Sequence, residues 1–255
     1  MIKTLLKKII PFHLRYYIRQ KFLPSTVNEN ISLRQEFYSF FIKEGDLVFD
    51  VGANYGNRVK AFLELKAEVV AVEPQRSCYK YLKLMFGKRI KLVTKGLGAK
   101  EEVKKFFIAD SSTVSTFSEE YIKAVKDSGR FASNNWNKTE EIQMTTLDNL
   151  IGLYGSPVFI KIDVEGFEKE VLSGLSKKIN SLSFEYCVPE QSSQAADCIK
   201  ILSVSNPDMK FNYSTGETMK FEMNDWLSAT DMLVFMNTDQ FVSTGFGDIY
   251  GKNLN

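Results

Sequence analysis

The chain of 255 residues has a single histidine, His13, which excludes a histidine-built metal centre. Its three cysteines, Cys78, Cys187 and Cys198, are odd in number and lack Cys-x-x-Cys spacing, which argues against a disulfide framework or a zinc site and for a reducing compartment. No apolar run approaches the roughly 20 residues that a membrane-spanning helix needs. Lysine and arginine interrupt the apolar positions of residues 1–22, and no long apolar core or small-residue cleavage site follows, so this segment does not read as a signal peptide. Internal repeats and low-complexity tracts are absent. A net charge of +2 is too small to imply a nucleic-acid partner. Together these absences leave a cytoplasmic protein as the default expectation.

What is present is a core-forming composition with an uneven charge. Hydrophobic residues make up 44% of the chain and aromatics 13%, enough for one large domain, and strand and helix signals alternate nearly end to end. Six basic residues and no acid fall within residues 1–22, leaving 27 basic against 31 acidic residues in the body. Around Pro11, the apolar positions Leu5, Leu6, Ile9 and Ile10, then Leu14, Tyr17, Ile18 and Phe22, predict two short amphipathic helices with a basic opposite face. Such an arm either caps the fold or docks peripherally on an anionic membrane.

The segment Val48-Phe49-Asp50-Val51-Gly52-Ala53-Asn54-Tyr55-Gly56 reads as a buried strand running into a glycine turn. The following run, Glu68-Val69-Val70-Ala71-Val72-Glu73-Pro74, ends on an acid. Doubly wound sheets hold adenosine-containing ligands with these parts. A dinucleotide fingerprint starting at Gly52 requires glycines where the chain has Asn54 and Asn57, so that register fails. The observed Asp-x-Gly-x-Asn-x-Gly turn suits a zwitterionic amino-acid tail, and Glu73 suits a ribose without a 2′-phosphate. S-adenosylmethionine contains both parts. The plainer alternative makes Asp50 and Glu73 solvated strand ends.

Asp50-Val51-Gly52-Ala53-Asn54, Glu73-Pro74, Thr146-Leu147-Asp148, Lys161-Ile162-Asp163-Val164-Glu165-Gly166 and Glu185 resemble, in order, the FkbM-type S-adenosylmethionine-dependent methyltransferases. The likeness runs from about residue 46 to 185 and returns weakly at Met232-Leu233-Val234-Phe235. The lysine-led block is its most specific element. Members often carry a small hydroxyl residue after the second glycine, where this chain has Asn57-Arg58-Val59. The resemblance implies an α/β, Rossmann-like class I methyltransferase fold, with a mainly parallel seven-stranded sheet and helices on both faces; it has no clear counterpart for the first 40 residues or for the segment after Pro189. The residue pattern itself gives residues 1–44 as an N-terminal helical arm and helix, residues 45–255 as the methyltransferase domain, and, from its Ser, Asn and charged residues, a lid-like insertion at about 110–139. O-methylation of a hydroxyl on a sugar, glycolipid or secondary metabolite is the implied activity. The rivals are a non-catalytic scaffold that retains the cofactor fold and an NAD-dependent Rossmann enzyme.

Ligands of open α/β sheets bind beyond the carboxyl ends of the strands, where Asp50, Glu73, Asp163 and Glu185 are all expected. The cofactor set is then Asp50, Gly52, Ala53, Asn54, Gly56, Glu73, Pro74 and Asp163. Methyl transfer to an alcohol needs alignment and a base, for which Asp163, then Glu165, with Glu185 beside them, are the candidates. Asp163 and Glu185 also permit Mg²⁺, without a positive sign of it. Glu168 reads as a partner of its helix dipole, and Thr145-x-x-Asp148 as a capping box. Ser111, Ser112 and Ser115 read as solvated turns or acceptor contacts, Trp136 and Trp226 as stacking faces or core plugs.

Strands are expected at about 46–51, 68–73, 90–95, 103–109, 140–145, 157–162, 182–186, 210–213 and 232–236. Residues 24–30 are expected as a loop. Helices are expected at 31–43 with Leu33, Phe37, Phe40 and Phe41 inward, and at 77–86, 119–126, 166–175 and 192–203.

Overall fold

Seven strands form one sheet in the order β3 (Ile90–Val93), β2 (Glu68–Val72), β1 (Leu47–Val51), β7 (Phe159–Ile162), β8 (Ser181–Cys187), β10 (Phe246–Asn253) and β9 (Met209–Thr215), with only β10 antiparallel to its neighbours. The computed structural model describes residues 27–253. The expected amphipathic arm of residues 1–22 lies outside them.

The centre of the sheet follows from β-branched and aromatic runs that are buried on both faces, as parallel strands require. β1 (Leu47–Val51) pairs in parallel with β2 (Glu68–Val72) and β7 (Phe159–Ile162). β3 (Ile90–Val93) lies outside β2, and β8 (Ser181–Cys187) lies beyond β7. Alternate residues feed two cores: Val48 and Phe159 pack on one face, Phe49 and Ile160 on the other. The first core takes α1 (Val27–Tyr38), α2 (Asn57–Glu64) and α3 (Arg76–Phe86), through Tyr38, Phe62 and Leu82.

A smaller sheet orders β4 (Gly96–Leu97), β6 (Lys138–Thr145) and β5 (Val103–Ile108). Between β5 and β6 runs the irregular stretch that carries α4 (Glu119–Asp127), capped by Ser118. α5 (Leu147–Tyr154), α6 (Glu168–Ser173) and α7 (Ser192–Ser205) cover the second core through Leu150, Leu172 and Ile199.

The largest departure from the sequence reading is at the C-terminal end. Residues 232–236, expected as a strand, belong to a helix, α8 (Ala229–Phe235), where Ser228 caps the amide of Asp231. After α9 (Asp239–Val242), the unanticipated β10 (Phe246–Asn253) inserts between β8 and β9 (Met209–Thr215). Its glycines leave little apolar signal, yet a Cβ on Gly247 would sit 2.0 Å from the Ser214 carbonyl oxygen, so close packing dictates glycine.

Three smaller corrections apply. The first helix begins at Val27 rather than residue 31, so the end of the expected loop at 24–30 is helical, and Leu33 and Phe40 are exposed. The helix expected at 166–175 is shortened to Glu168–Ser173, because Gly166 at φ 81° still belongs to the turn. Thr146, not Thr145, caps α5 by accepting from the Asn149 amide, while Asp148 accepts from the Ser176 amide and hydroxyl.

Candidate active site

A cleft of about 720 Å³ opens beyond the carboxyl ends of β1, β2, β7 and β8. Its first wall is the turn after β1. Gly52 has φ 85°, and a Cβ there would lie 1.7 Å from the Asp163 carbonyl oxygen, so the β1 and β7 turns approach more closely than any side chain allows. The amides of Gly52 and Ala53 both donate to the Val72 carbonyl, fixing the turn against β2. Asn54, at φ 45°, presents its amide to Glu73 Oε2 at 2.7 Å, and the Gln75 amide donates to Oε1 at 2.7 Å.

Glu73 thus clasps the glycine turn as well as lining the cleft. Each of its oxygens keeps a lone pair for a ribose hydroxyl. Burial raises its pKa to about 7, and burial likewise raises that of Asp50 to about 7. Asp50 is 2% exposed, and its Oδ2 has no hydrogen-bond partner among the described residues. Neither acid is a solvated strand end. Ala53 and Pro74 line the same wall, and Gly56, at φ 74°, stands where a Cβ would strike the Phe86 ring.

The opposite wall is acidic. Asp163 follows β7, Glu185 lies in β8, and Glu165 sits in the intervening turn at φ 55°. One carboxylate oxygen from each falls within 4.8 Å of the others. Lys161 Nζ, buried beneath them, lies 3.3 Å from Asp163 Oδ2, and the Tyr121 hydroxyl of α4 donates to Glu165 Oε2 at 2.6 Å. Burial, then the charge of Asp163, holds Glu165 well above the usual carboxylate range. Burial, then the charge of Glu165, does the same to Glu185. The spacing of the trio would admit a divalent cation. Lys161 and Tyr121 already serve two of its members, and nothing else in the cleft points to one.

Glu168 opens α6, where its charge faces the positive end of the helix dipole as expected. It is also a buried carboxylate that accepts the amides of Val164 and Gly166 and so shapes the turn that carries Glu165. Ser112 reaches from the stretch between β5 and β6 to Asn54 Oδ1 at 3.2 Å, closing the cleft over the glycine turn. Arg130 ties the same stretch to the far side, through Glu190 and the carbonyls of Val188 and Gly245. Trp136 donates to the Val114 carbonyl and Trp226 packs on Phe221, both outside the cleft lining.

The sequence did not flag Tyr121, Arg130 or Asp248. Tyr121 and Arg130 lie in the stretch with no motif, and Asp248 lies in the unanticipated strand. Lys161 stood inside the recognised block without a role.

A mainly parallel seven-stranded sheet, a glycine turn clasped by an acidic strand end and a carboxylate wall at its carboxyl edge define a Rossmann-like class I methyltransferase. The chain belongs to the FkbM methyltransferase family, whose domain model matches residues 50–229. No curated protein matches it in sequence. Among solved structures, it is similar to a precorrin-6y C5,15-methyltransferase from Geobacter metallireducens, with 11% identity over 88% of this chain and 87% of that one, at a TM-score of 0.42. A TehB-like S-adenosylmethionine-dependent methyltransferase from Corynebacterium glutamicum shows 10% identity over 96% and 100%, at 0.44. The plantazolicin methyltransferase BpumL, in complex with a pentazolic desmethylPZN analogue and S-adenosylhomocysteine, shows 9% over 94% and 90%, at 0.43. Likenesses this distant carry no information about the acceptor.

Proposed function

We propose that the protein transfers a methyl group from S-adenosylmethionine to a hydroxyl oxygen of a sugar, glycolipid or secondary metabolite. The observation that carries this reading is the carboxylate wall of Asp163, Glu165 and Glu185 facing the glycine turn across one cleft. Six carboxylate side chains line that cleft against two guanidinium groups, which favours a cationic ligand over a neutral one. Bound there, S-adenosylmethionine supplies an electrophilic methyl group and a neutral leaving group.

The chain's own residues divide the remaining work. Asp50 and the turn from Gly52 to Gly56 would hold the amino-acid end, and Glu73 with Pro74 the ribose. A hydroxyl acceptor needs its proton removed as it attacks, by a carboxylate with a pKa near the working pH. The sequence favours Asp163, but its ion pair with Lys161 commits that carboxylate to a structural partner. Glu185 has no side-chain hydrogen bond among the described residues, and burial raises its pKa, so Glu185 becomes the preferred base. Glu165, restrained by Tyr121, stands beside it.

The basic residues 1–22 suit an acceptor presented at an anionic membrane surface. Deleting them should then reduce activity on membrane-embedded acceptor only, and unchanged activity would sink that part of the reading. Among the described residues, no helix is long and apolar enough to cross a membrane.

Calorimetry of S-adenosylmethionine and S-adenosylhomocysteine binding, with NAD as control, tests the cofactor. Binding of both sulfur ligands that weakens about tenfold or more in Glu73→Ala is expected, since a hydrogen bond to a charged group contributes about 1.5–3 kcal/mol. Binding of NAD alone, or of no ligand, would refute the reading.

A further inference from the structure

One face of the central sheet carries a row of polar residues where an apolar row is the rule. Across β1, β7, β8, β10 and β9, the residues in register are Asp50, Lys161, Ser183, Tyr250 and Asn212. In the adjoining row Glu185 faces Asp248, and Asp248 faces Ser214. Lys161 is 1% exposed and Asp248 3% exposed. Lys161 Nζ lies 2.7 Å from Asp248 Oδ1, and Asp248 Oδ2 accepts from the Tyr250 hydroxyl at 3.2 Å. The two side chains reach towards each other and together span two strand spacings, about 10 Å, and the small Ser183 on the intervening strand leaves them room.

Stability alone does not account for this arrangement. Well-packed apolar residues in place of a buried ion pair are often neutral or stabilising. Neither Lys161 nor Asp248 lines the cleft, so neither touches a ligand there. The second contact of the ammonium, however, is Asp163, which does line the cleft.

We propose that Lys161 and Asp248 form a positioning pair for the methyl-transfer site, in which Asp248 anchors the ammonium and the ammonium fixes Asp163 and sets the charge of the adjoining carboxylates. This assignment rests on the proposed function for its purpose but not for its test. The charged and titratable groups around Lys161 are Asp163 after β7, Asp248 on β10, Tyr38 on α1 and Arg58 on α2, with Asp50 on β1 and Glu217 after β9. Its charge also reaches Glu165 and Glu185, where it opposes the rise that burial causes. Losing the cation should push these carboxylates further up, and losing the Asp248 charge should let them fall.

The experiment is a carboxyl ¹³C NMR titration of the full chain, following Glu165 and Glu185 in wild type, Lys161→Met and Asp248→Asn. The expected midpoints move in opposite directions, up by about one pH unit for Lys161→Met and down for Asp248→Asn. General loosening of the fold would not oppose the two signs. Midpoints that stay in place, or move together, overturn the proposal. If Lys161→Met does not fold, the double variant Lys161→Met/Asp248→Asn replaces it. It should still move the midpoints up, because the charge of Lys161 bears on Glu165 and Glu185 more strongly than that of Asp248, and a fall would refute the pairing. Calorimetry with S-adenosylhomocysteine on the same samples judges the cofactor separately. Opposed midpoints in the two variants, with a wild type that binds no sulfur ligand, would uphold the pair and refute the methyltransferase reading.

Discussion

Gly52 shows how much of the site rests on single atoms. Its φ of 85° costs an L-residue about 1–2 kcal/mol, and a Cβ 1.7 Å from the Asp163 carbonyl adds about 1–3 kcal/mol of overpacking. Gly52→Ala should therefore lower Tm by several degrees in a thermal melt and abolish S-adenosylhomocysteine binding. A variant with unchanged Tm and affinity would show that the β1 and β7 turns do not need to touch. Residues such as Gly52, Asp50, Glu73 and Asp163 are legible in the sequence because each falls at or just past the carboxyl end of an apolar strand, and strand ends are where such sheets bind ligands. Tyr121 is not, because a tyrosine on an amphipathic helix looks like core until the fold brings Glu165 to its hydroxyl. Asp248 is hidden for another reason: its importance lies in a partner 87 positions away on a different strand.

The same contrast holds for whole elements. β1, β2, β3, β5 and β7 carry runs of valine, isoleucine, leucine and phenylalanine bounded by turn residues, and their places in the two sheets agree with that signal, whereas the two-residue β4 at Gly96–Leu97 reads from sequence as a turn. The Met232-Leu233-Val234-Phe235 run is too short for periodicity to separate strand from helix. Ser228 and Asp231, three residues apart, carry the helix-start signal that decides it. β10 has the opposite problem, since Gly247, Asp248, Gly251 and Lys252 interrupt its apolar pattern, and only its neighbours on both sides make it a strand.

The segment between β5 and β6 is held over the cleft by a few polar ties, Arg130 foremost. Arg130→Ala removes a bidentate bond to Glu190 and two bonds to backbone carbonyls. At about 1.5–3 kcal/mol for a charged hydrogen bond, amide exchange in α4 should accelerate roughly tenfold or more, as hydrogen-exchange mass spectrometry would show. Exchange confined to its wild-type rate would assign Arg130 a surface role only. Because Tyr121 sits on that helix, loosening α4 also releases Glu165. The restraint on the acidic wall is thus partly borrowed from the segment above it.

At the scale of the molecule, the buried acids make the stability of the protein depend on pH in an unusual direction. Burial raises Asp50, Glu73 and Glu168 to about 7, above their values in an unfolded chain. Between the ordinary carboxylate range and neutrality the native state therefore holds more protons than the unfolded state. The stability this confers is complete below the unfolded pKa values and is lost as pH rises through about 7. Glu190 and Glu217 act oppositely, because the bonds from Arg130 and Arg58 outweigh burial and lower their pKa values. Their contribution disappears as pH falls below the usual carboxylate range. The two trends place the maximum stability of the ligand-free protein at about pH 5, with Tm falling by roughly 5 °C or more towards pH 8. A cationic ligand should reverse that fall where the cleft acids are ionised, so S-adenosylmethionine should raise Tm more than S-adenosylhomocysteine at pH 8, and the gap should narrow towards pH 5. Differential scanning fluorimetry across this range reads both effects at once. A flat gap would mean that the acids lining the cleft do not sense the sulfonium charge, and the acidic wall would then need a purpose other than methyl transfer.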